Sequence, residues 1–155
     1  MIEELLLFLF LIIMQVFIID TPIETVKILD PRRRNKQILE VKQIIKAILS
    51  ETTAWKNHPC TIQYRDHLGW LNNYLRCFEY FSKGNYTLAL SASILATENT
   101  PSFHTPEYLT QMKRRLFTKD PIYYNYWSGL GTSDVNWYWV DNEWRYYRSG
   151  KRIKL

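Results

Sequence analysis

Fifteen residues near the start of this chain, Leu5 to Ile19, read LLLFLFLIIMQVFII and are interrupted only by Gln15. A run this apolar must be buried in a core, inserted in a bilayer or removed, because exposing it costs about 25 cal/mol for each Å² left in water. Its surroundings argue against a leader or a span. Glu3 and Glu4 precede it in place of lysine or arginine, no small-residue cleavage site follows, and about 20 apolar residues are needed to cross a bilayer. Met14 sits inside the run and offers an alternative beginning, after which the chain reads Met-Gln-Val-Phe-Ile-Ile. Residues 1–13 are therefore read as a hydrophobic extension and residues 14–155 as a single domain, of ordinary size for 155 residues.

The remainder reads as mostly helical. Asp30-Pro31 is a strong helix start, an N-cap acid followed by proline at the first helical position. Ile38, Val41, Ile45 and Ile48 then recur at helical spacing, which predicts one amphipathic helix from about Pro31 to about Ser50. A loop with Trp55, Asn57, His58 and Pro59 leads to a second helix expected from about Cys60 to about Ser82, ended by Lys83-Gly84-Asn85. Tyr86 to Ala96 is a short third candidate, and Pro106 opens another helix through Phe117. Alternation around Asp141-Asn142 suits a short β-hairpin or an irregular aromatic flap at 137–147. The expected fold is all-α, a compact bundle of three to four helices with an aromatic-rich C-terminal segment.

Charge narrows the partner. Lys and Arg number 20 against 15 Asp and Glu, a net charge of +5 that favours nucleic acid or an anionic surface. Beginning at Met14 would drop Glu3 and Glu4 and raise this to +7. Between Tyr123 and Tyr147 stand ten aromatic residues, Tyr123, Tyr124, Tyr126 and Trp127 among them, preceded by Lys113, Arg114, Arg115 and Lys119. Cations beside flat rings suit a polymer that offers phosphates and base faces together, although such rings also serve as core material. The two cysteines, Cys60 and Cys77, are too few for a disulfide scaffold and lack zinc spacing, so they read as buried free thiols. His58, His67 and His104 are scattered in sequence, and neither a phosphate loop nor a dinucleotide turn is present. No cofactor and no metal is expected.

The first long helix is the most charged element. From Asp30 to Lys46 it carries Arg32, Arg33, Arg34, Lys36, Lys42 and Lys46 against Asp30 and Glu40, six cations against two acids and net positive by four. Glu40 is isolated on that basic face. An ordinary surface carboxylate paired with Lys36 one turn back accounts for it, and so does a proton-transferring acid set among phosphate-binding cations. Spacing alone does not choose.

Five stretches in order carry a family resemblance: Met14-Gln-Val-Phe; Leu29-Asp30-Pro-Arg-Arg-Arg-Asn-Lys36-Gln-Ile-Leu-Glu40; Trp55-Lys-Asn-His58-Pro59; Phe103-His104; and Arg115-Leu-Phe-Thr-Lys119-Asp120-Pro121-Ile-Tyr-Tyr124. Together they resemble the pyrimidine-dimer DNA glycosylases, the endonuclease V-like family. The resemblance implies a monomeric, intracellular (cytoplasmic or nuclear) DNA-repair enzyme that binds damaged double-stranded DNA without a metal. In such an enzyme the N-terminal amine attacks the deoxyribose C1′, and the Schiff base then permits AP-lyase strand cleavage. Glu40 matches the assisting glutamate, and Met14 would supply the amine if it is the terminus, since an α-amine with a pKa near 7.7–8.0 is partly neutral at physiological pH whereas a peptide nitrogen is not nucleophilic. Arg32, Arg33 and Lys36 are implied as phosphate holders, with Arg34, Arg114, Arg115 and Lys119 as further cations. Tyr123, Tyr124, Tyr126 and Trp127 are implied as a wall beside the lesion, and His58 and His104 as secondary contacts. Ile38 stands where many relatives carry arginine. Two alternatives remain: a nucleic-acid-binding protein of the same fold without catalysis, and a protein tethered to a membrane by residues 5–19.

Overall fold

The computed structural model describes residues 14–50 and 55–148. The proposed extension at 1–13 and the terminal cations Lys151, Arg152 and Lys154 lie outside the described residues. Six α-helices, one 3-10 helix and a two-stranded antiparallel sheet make up the described chain. In order they are α1 (Pro22–Ile28), α2 (Pro31–Leu49), α3 (Pro59–Tyr64), α4 (Leu68–Ser82), α5 (Tyr86–Thr97), α6 (Pro106–Lys119), the 3-10 turn Asn125–Leu130, β1 (Val135–Val140) and β2 (Glu143–Arg148).

The helical class matches expectation, but the division into three to four helices is corrected. The stretch expected as one helix from Cys60 to Ser82 is two, parted at Arg65-Asp66-His67, where His67 leaves helical geometry at φ −125° and ψ 35°. Asp66 and Gly69 both favour non-helical backbone, so little local preference opposes the break. The break also lets α3 lie against β1 while α4 packs along α5. Helix α1 went unpredicted, although Thr21-Pro22-Ile23-Glu24 carries a start signal: the Thr21 hydroxyl accepts from the Glu24 amide at 3.3 Å and Pro22 fills the first helical position. Helix α2 begins as read, with an Asp30 carboxylate oxygen accepting from the Arg33 amide at 3.3 Å.

The hairpin spans 135–148 and not only 137–147. Asp141 and Asn142 take φ of 54° and 61°, the left-handed pair that a two-residue turn needs to match the twist of its strands. Asn136, Tyr138 and Val140 point inward from β1, and the Trp139 amide donates to Gln63 Oε1 at 2.9 Å. On the other face Trp137 and Tyr146 pair edge-on across the strands at 5.3 Å. Of the later aromatics, Tyr138 lies in the core and Trp137, Trp139, Trp144 and Tyr147 pack against it, while Tyr146 is exposed.

The core encloses a segment with no helix or strand. Residues Met14 to Ile19, the last six of the apolar run, are all buried, Val16 and Ile18 completely. An irregular buried backbone must find partners for its amides and carbonyls, or each orphan costs about 1–3 kcal/mol. Side chains supply them here. Phe17 N donates to Gln37 Oε1 at 2.9 Å and Ile19 N to Thr25 Oγ1 at 3.1 Å, while the Val16 amide faces the Cys60 sulfur. Gln37 Nε2 donates to the Gln15 carbonyl at 2.7 Å, Tyr74 Oη to the Phe17 carbonyl at 2.6 Å and Tyr138 Oη to the Met14 carbonyl at 2.9 Å. Residues 14–19 are therefore core, which removes them from any membrane anchor. Among the described residues no helix is long and apolar enough to cross a membrane. Both cysteines are free and buried.

Replacing Tyr74 with phenylalanine keeps the ring that stacks on Phe78 at 4.4 Å but strands the Phe17 carbonyl. Urea denaturation should show a loss of about 1–3 kcal/mol with little change in the slope against denaturant.

Candidate active site

Three elements converge at one end of α2. Asp30 caps the helix and binds Tyr124 twice: the Tyr124 hydroxyl donates to Asp30 Oδ1 at 2.5 Å and accepts from the Asp30 amide at 3.0 Å. Burial works against the Asp30 charge, but the hydrogen bonds from Tyr124 and Arg33 outweigh it and hold the carboxyl below its ordinary range. Arg33 Nη1 reaches Asp30 Oδ1 at 3.0 Å and Asp120 Oδ2 at 4.0 Å, tying the end of α6 to the start of α2. The same tie brings Lys119 beside the basic face of α2.

Glu40 lies two turns further along α2 and is only 3 % exposed. Its Oε2 accepts from the Gln37 side chain at 3.2 Å and from the Gln15 amide at 3.4 Å. Among the described residues Oε1 accepts no hydrogen bond, and its charged neighbour is Lys36 Nζ at 3.6 Å. Burial pushes the Glu40 pKa up to about 7, against the opposing pull of Lys36, the Gln15 amide and Lys119. Desolvation wins because the cations lie toward solvent, where water screens them. Lys36 is 38 % exposed at its side chain and Glu40 only 4 %. The surface carboxylate weighed from the sequence is in fact an interior one.

Lys119 shows the complementary shift. Although the residue keeps an exposed face, the protein packed round its ammonium, together with Arg115, Lys36 and Arg33, lowers its pKa to about 8, and Glu40 acts in the opposite sense. An acid near 7 and an amine near 8 can both exchange protons at neutral pH, the range in which acid–base catalysis is most effective.

The expected site residues separate by placement. Arg33 and Tyr124 meet at Asp30, Lys36 pairs with Glu40 further along α2, Lys119 feels the charges of Arg33, Lys36 and Glu40, and the amide after Met14 reaches Glu40; Arg32 stands exposed on the first turn of α2. Arg34 turns inward: its Nε donates to the Val26 carbonyl at 3.0 Å, its Nη2 to the Leu29 carbonyl at 3.2 Å, and its plane lies over Phe81. Arg115 is 2 % exposed and donates to the Ser133 carbonyl at 2.9 Å, while Arg114 donates to the Leu130 carbonyl at 2.7 Å. These three guanidinium groups brace backbone.

Both expected histidines sit within the fold. His58 is buried as the cap of α3, its Nδ1 accepting from the Cys60 amide at 3.0 Å. His104 Nε2 meets Tyr64 Oη at 2.8 Å, and burial, with His67 adding repulsion, lowers its pKa to about 3, so it is neutral at physiological pH. Tyr123 and Tyr126 are exposed, and Trp127 is half-buried with its ring stacked on Tyr124 at 5.6 Å. Gln37 was not anticipated from the sequence, yet it joins Gln15 to Glu40. Its position three residues before Glu40 on the same helix face was the available signal. Among the described residues no cluster of three or more metal-ligating side chains occurs.

Residues 14–86 match the profile of the family described as pyrimidine dimer DNA glycosylase, and the match begins at Met14. The likeness read from the sequence is therefore supported over the segment that contains α1 to α4, the buried N-terminal segment and Glu40, while the stretches at 103–104 and 115–124 lie beyond the match. No curated protein and no solved structure matches the chain.

A raised carboxyl pKa makes stability depend on pH in a stated sense. Between the ordinary value of 4.5 and about 7, folded Glu40 holds a proton that the unfolded chain has released, so its contribution to stability falls as pH rises through that window. The loss is on the order of 3 kcal/mol at most. Urea midpoints measured from pH 5 to 8 should decline for the unaltered chain. They should lack this component in Glu40→Gln, which should be the more stable of the two at pH 8.

Proposed function

We propose that this chain, with its pyrimidine-dimer glycosylase pattern over residues 14–86, excises damaged bases from duplex DNA and then cleaves the abasic strand, and that Met14 supplies the nucleophile as a chain terminus. The observation that carries the proposal is Glu40: a buried carboxyl with a pKa of about 7, hydrogen-bonded to the backbone at Gln15 and overlooked by Lys36.

In this reading the Met14 nitrogen, as a neutral amine, forms a bond to C1′ while the C1′–base bond breaks and its electron pair leaves with the base, which takes up a proton. Protonated Glu40 delivers its proton to the ring oxygen as the C1′–O bond opens, leaving an imine between C1′ and nitrogen. The Glu40 carboxylate formed in that step then removes a proton from C2′, and the C3′–O bond breaks with the phosphate as leaving group. One group serves as acid and then as base, which requires a pKa near the working pH. Arg32, Arg33, Lys36 and Lys119 hold phosphates on either side of the sugar, and Tyr123 and Tyr126 face the distorted bases. Arg34, Arg114, Arg115, His58 and His104 support these groups from within the fold. The start of the family match at Met14 supports the assignment of the amine, since the residue that the chemistry needs is the first one matched.

Borohydride reduction tests the imine directly. A chain beginning at Met14 should be trapped covalently on abasic duplex DNA, and one that retains residues 1–13 should not, its Met14 nitrogen being an amide. Absence of an adduct from the Met14 chain would overturn the lyase assignment. Glu40→Gln should lower strand cleavage by roughly 10²–10⁴-fold while DNA affinity stays within about threefold, because the change removes a proton carrier and leaves the cations in place.

A further inference from the structure

The loop that leaves α6 carries an exposed apolar side chain that the chemistry above does not use. Ile122 is 89 % exposed, the highest value of any large apolar residue among those described. A lone exposed isoleucine is ordinary, but this one is presented rigidly. Pro121 restricts the backbone before it, and the turn after it is fastened at several points. The Tyr123 amide donates to Asp120 Oδ1 at 3.0 Å, the Tyr124 amide to the Asp120 carbonyl at 3.0 Å, and the buried Tyr124 side chain is locked to Asp30. Trp127 stacks on the Tyr124 ring. The branched Ile122 side chain is itself stiff, so little freedom is lost when it is confined.

What surrounds it indicates what it meets. Tyr123 and Tyr126 stand exposed on the same loop at 45 % and 56 %. Asp120, one residue before Pro121, is held 4.0 Å from Arg33, so the loop rises beside the cations Arg33, Lys36 and Lys119. A rigid apolar tip flanked by open rings and backed by positive charge is complementary to the base stack of a duplex whose phosphates the cations hold.

We propose that Ile122 is a wedge that enters the base stack of duplex DNA beside the lesion, with Tyr123 and Tyr126 stacking on the bases it parts; the proposal rests on the repair function above. Parting a base step costs a few kcal/mol in sound duplex and less where a base is damaged or missing. The wedge therefore discriminates: it enters freely where stacking is already broken and is resisted elsewhere. Ile122 neither donates nor accepts a hydrogen bond through its side chain, so it reads stacking strength and not base identity.

The test uses the full 155-residue chain and a duplex that carries a tetrahydrofuran abasic analogue with 2-aminopurine in the facing strand. Binding of the unaltered chain should raise the 2-aminopurine fluorescence severalfold. Ile122→Ala should lose most of that rise and roughly tenfold in affinity for the lesion duplex, and change affinity for the single-stranded oligonucleotide by less than about twofold. Ile122→Leu should retain the rise. At 89 % exposure the alanine substitution leaves the fold intact, which circular dichroism checks. An Ile122→Ala chain with the same fluorescence rise and the same preference for lesion over intact duplex would overturn the wedge and leave the repair function standing. If the unaltered chain itself shows no preference for the lesion duplex, the repair function fails and the wedge with it.

Discussion

Everything in this molecule is arranged round a stretch of backbone that has no ladder of its own. Residues 14–19 cross the core without forming helix or strand, and burial denies their peptide groups any water. The sequence meets that demand with side chains from across the chain: Gln37 and Glu40 from α2, Tyr74 from α4, Tyr138 from β1, Thr25 from α1. Each bond offsets the desolvation of a group that would otherwise oppose folding. The same bonds fix Met14 and Gln15 relative to Glu40, so the contacts that stabilise the segment also set the geometry on which the proposed chemistry rests.

Glu40 shows how far this coupling goes. Placed at the surface it would be an ordinary anion beside Lys36. Placed under the N-terminal segment it loses hydration, and the neighbouring cations, closer to solvent, do not restore it. A carboxyl in this position destabilises the fold whenever it is ionised. That cost is the common signature of a group positioned for proton transfer and not for strength. Lys119 carries the mirror image, a cation crowded by other cations, and the two departures partly relieve each other.

The fold was legible mostly where local chemistry decides, the start of α1 at Thr21-Pro22 being a local signal that was missed. Asp30-Pro31 and the apolar spacing after it located α2 to within a residue of its end, and Asp141-Asn142 located the hairpin turn because few residues accept positive φ. Legibility failed where partners distant in sequence decide. The break between α3 and α4 serves two different packing faces, which a continuous apolar pattern does not reveal. Arg34, Arg115 and His58 have the composition of a nucleic-acid surface, yet each is used inward, because residue type does not report direction. Glu40 was found by its isolation among cations, but its burial depends on residues 14–19 lying over it. The apolar run was noticed at once and understood only in part: its last six residues lie in the core.

The bond from Tyr138 to the Met14 carbonyl has a temporal side. It joins residues 124 positions apart, across nearly the whole length of the described chain. During synthesis Met14 leaves the ribosome long before the strand that holds it, and at about 5–20 residues per second the interval is many seconds. Until β1 arrives, the buried segment lacks one of its partners and the apolar residues around it remain open to other chains. The nascent protein thus spends much of its synthesis with an unfinished centre, and the strand that closes it is among the last elements to emerge.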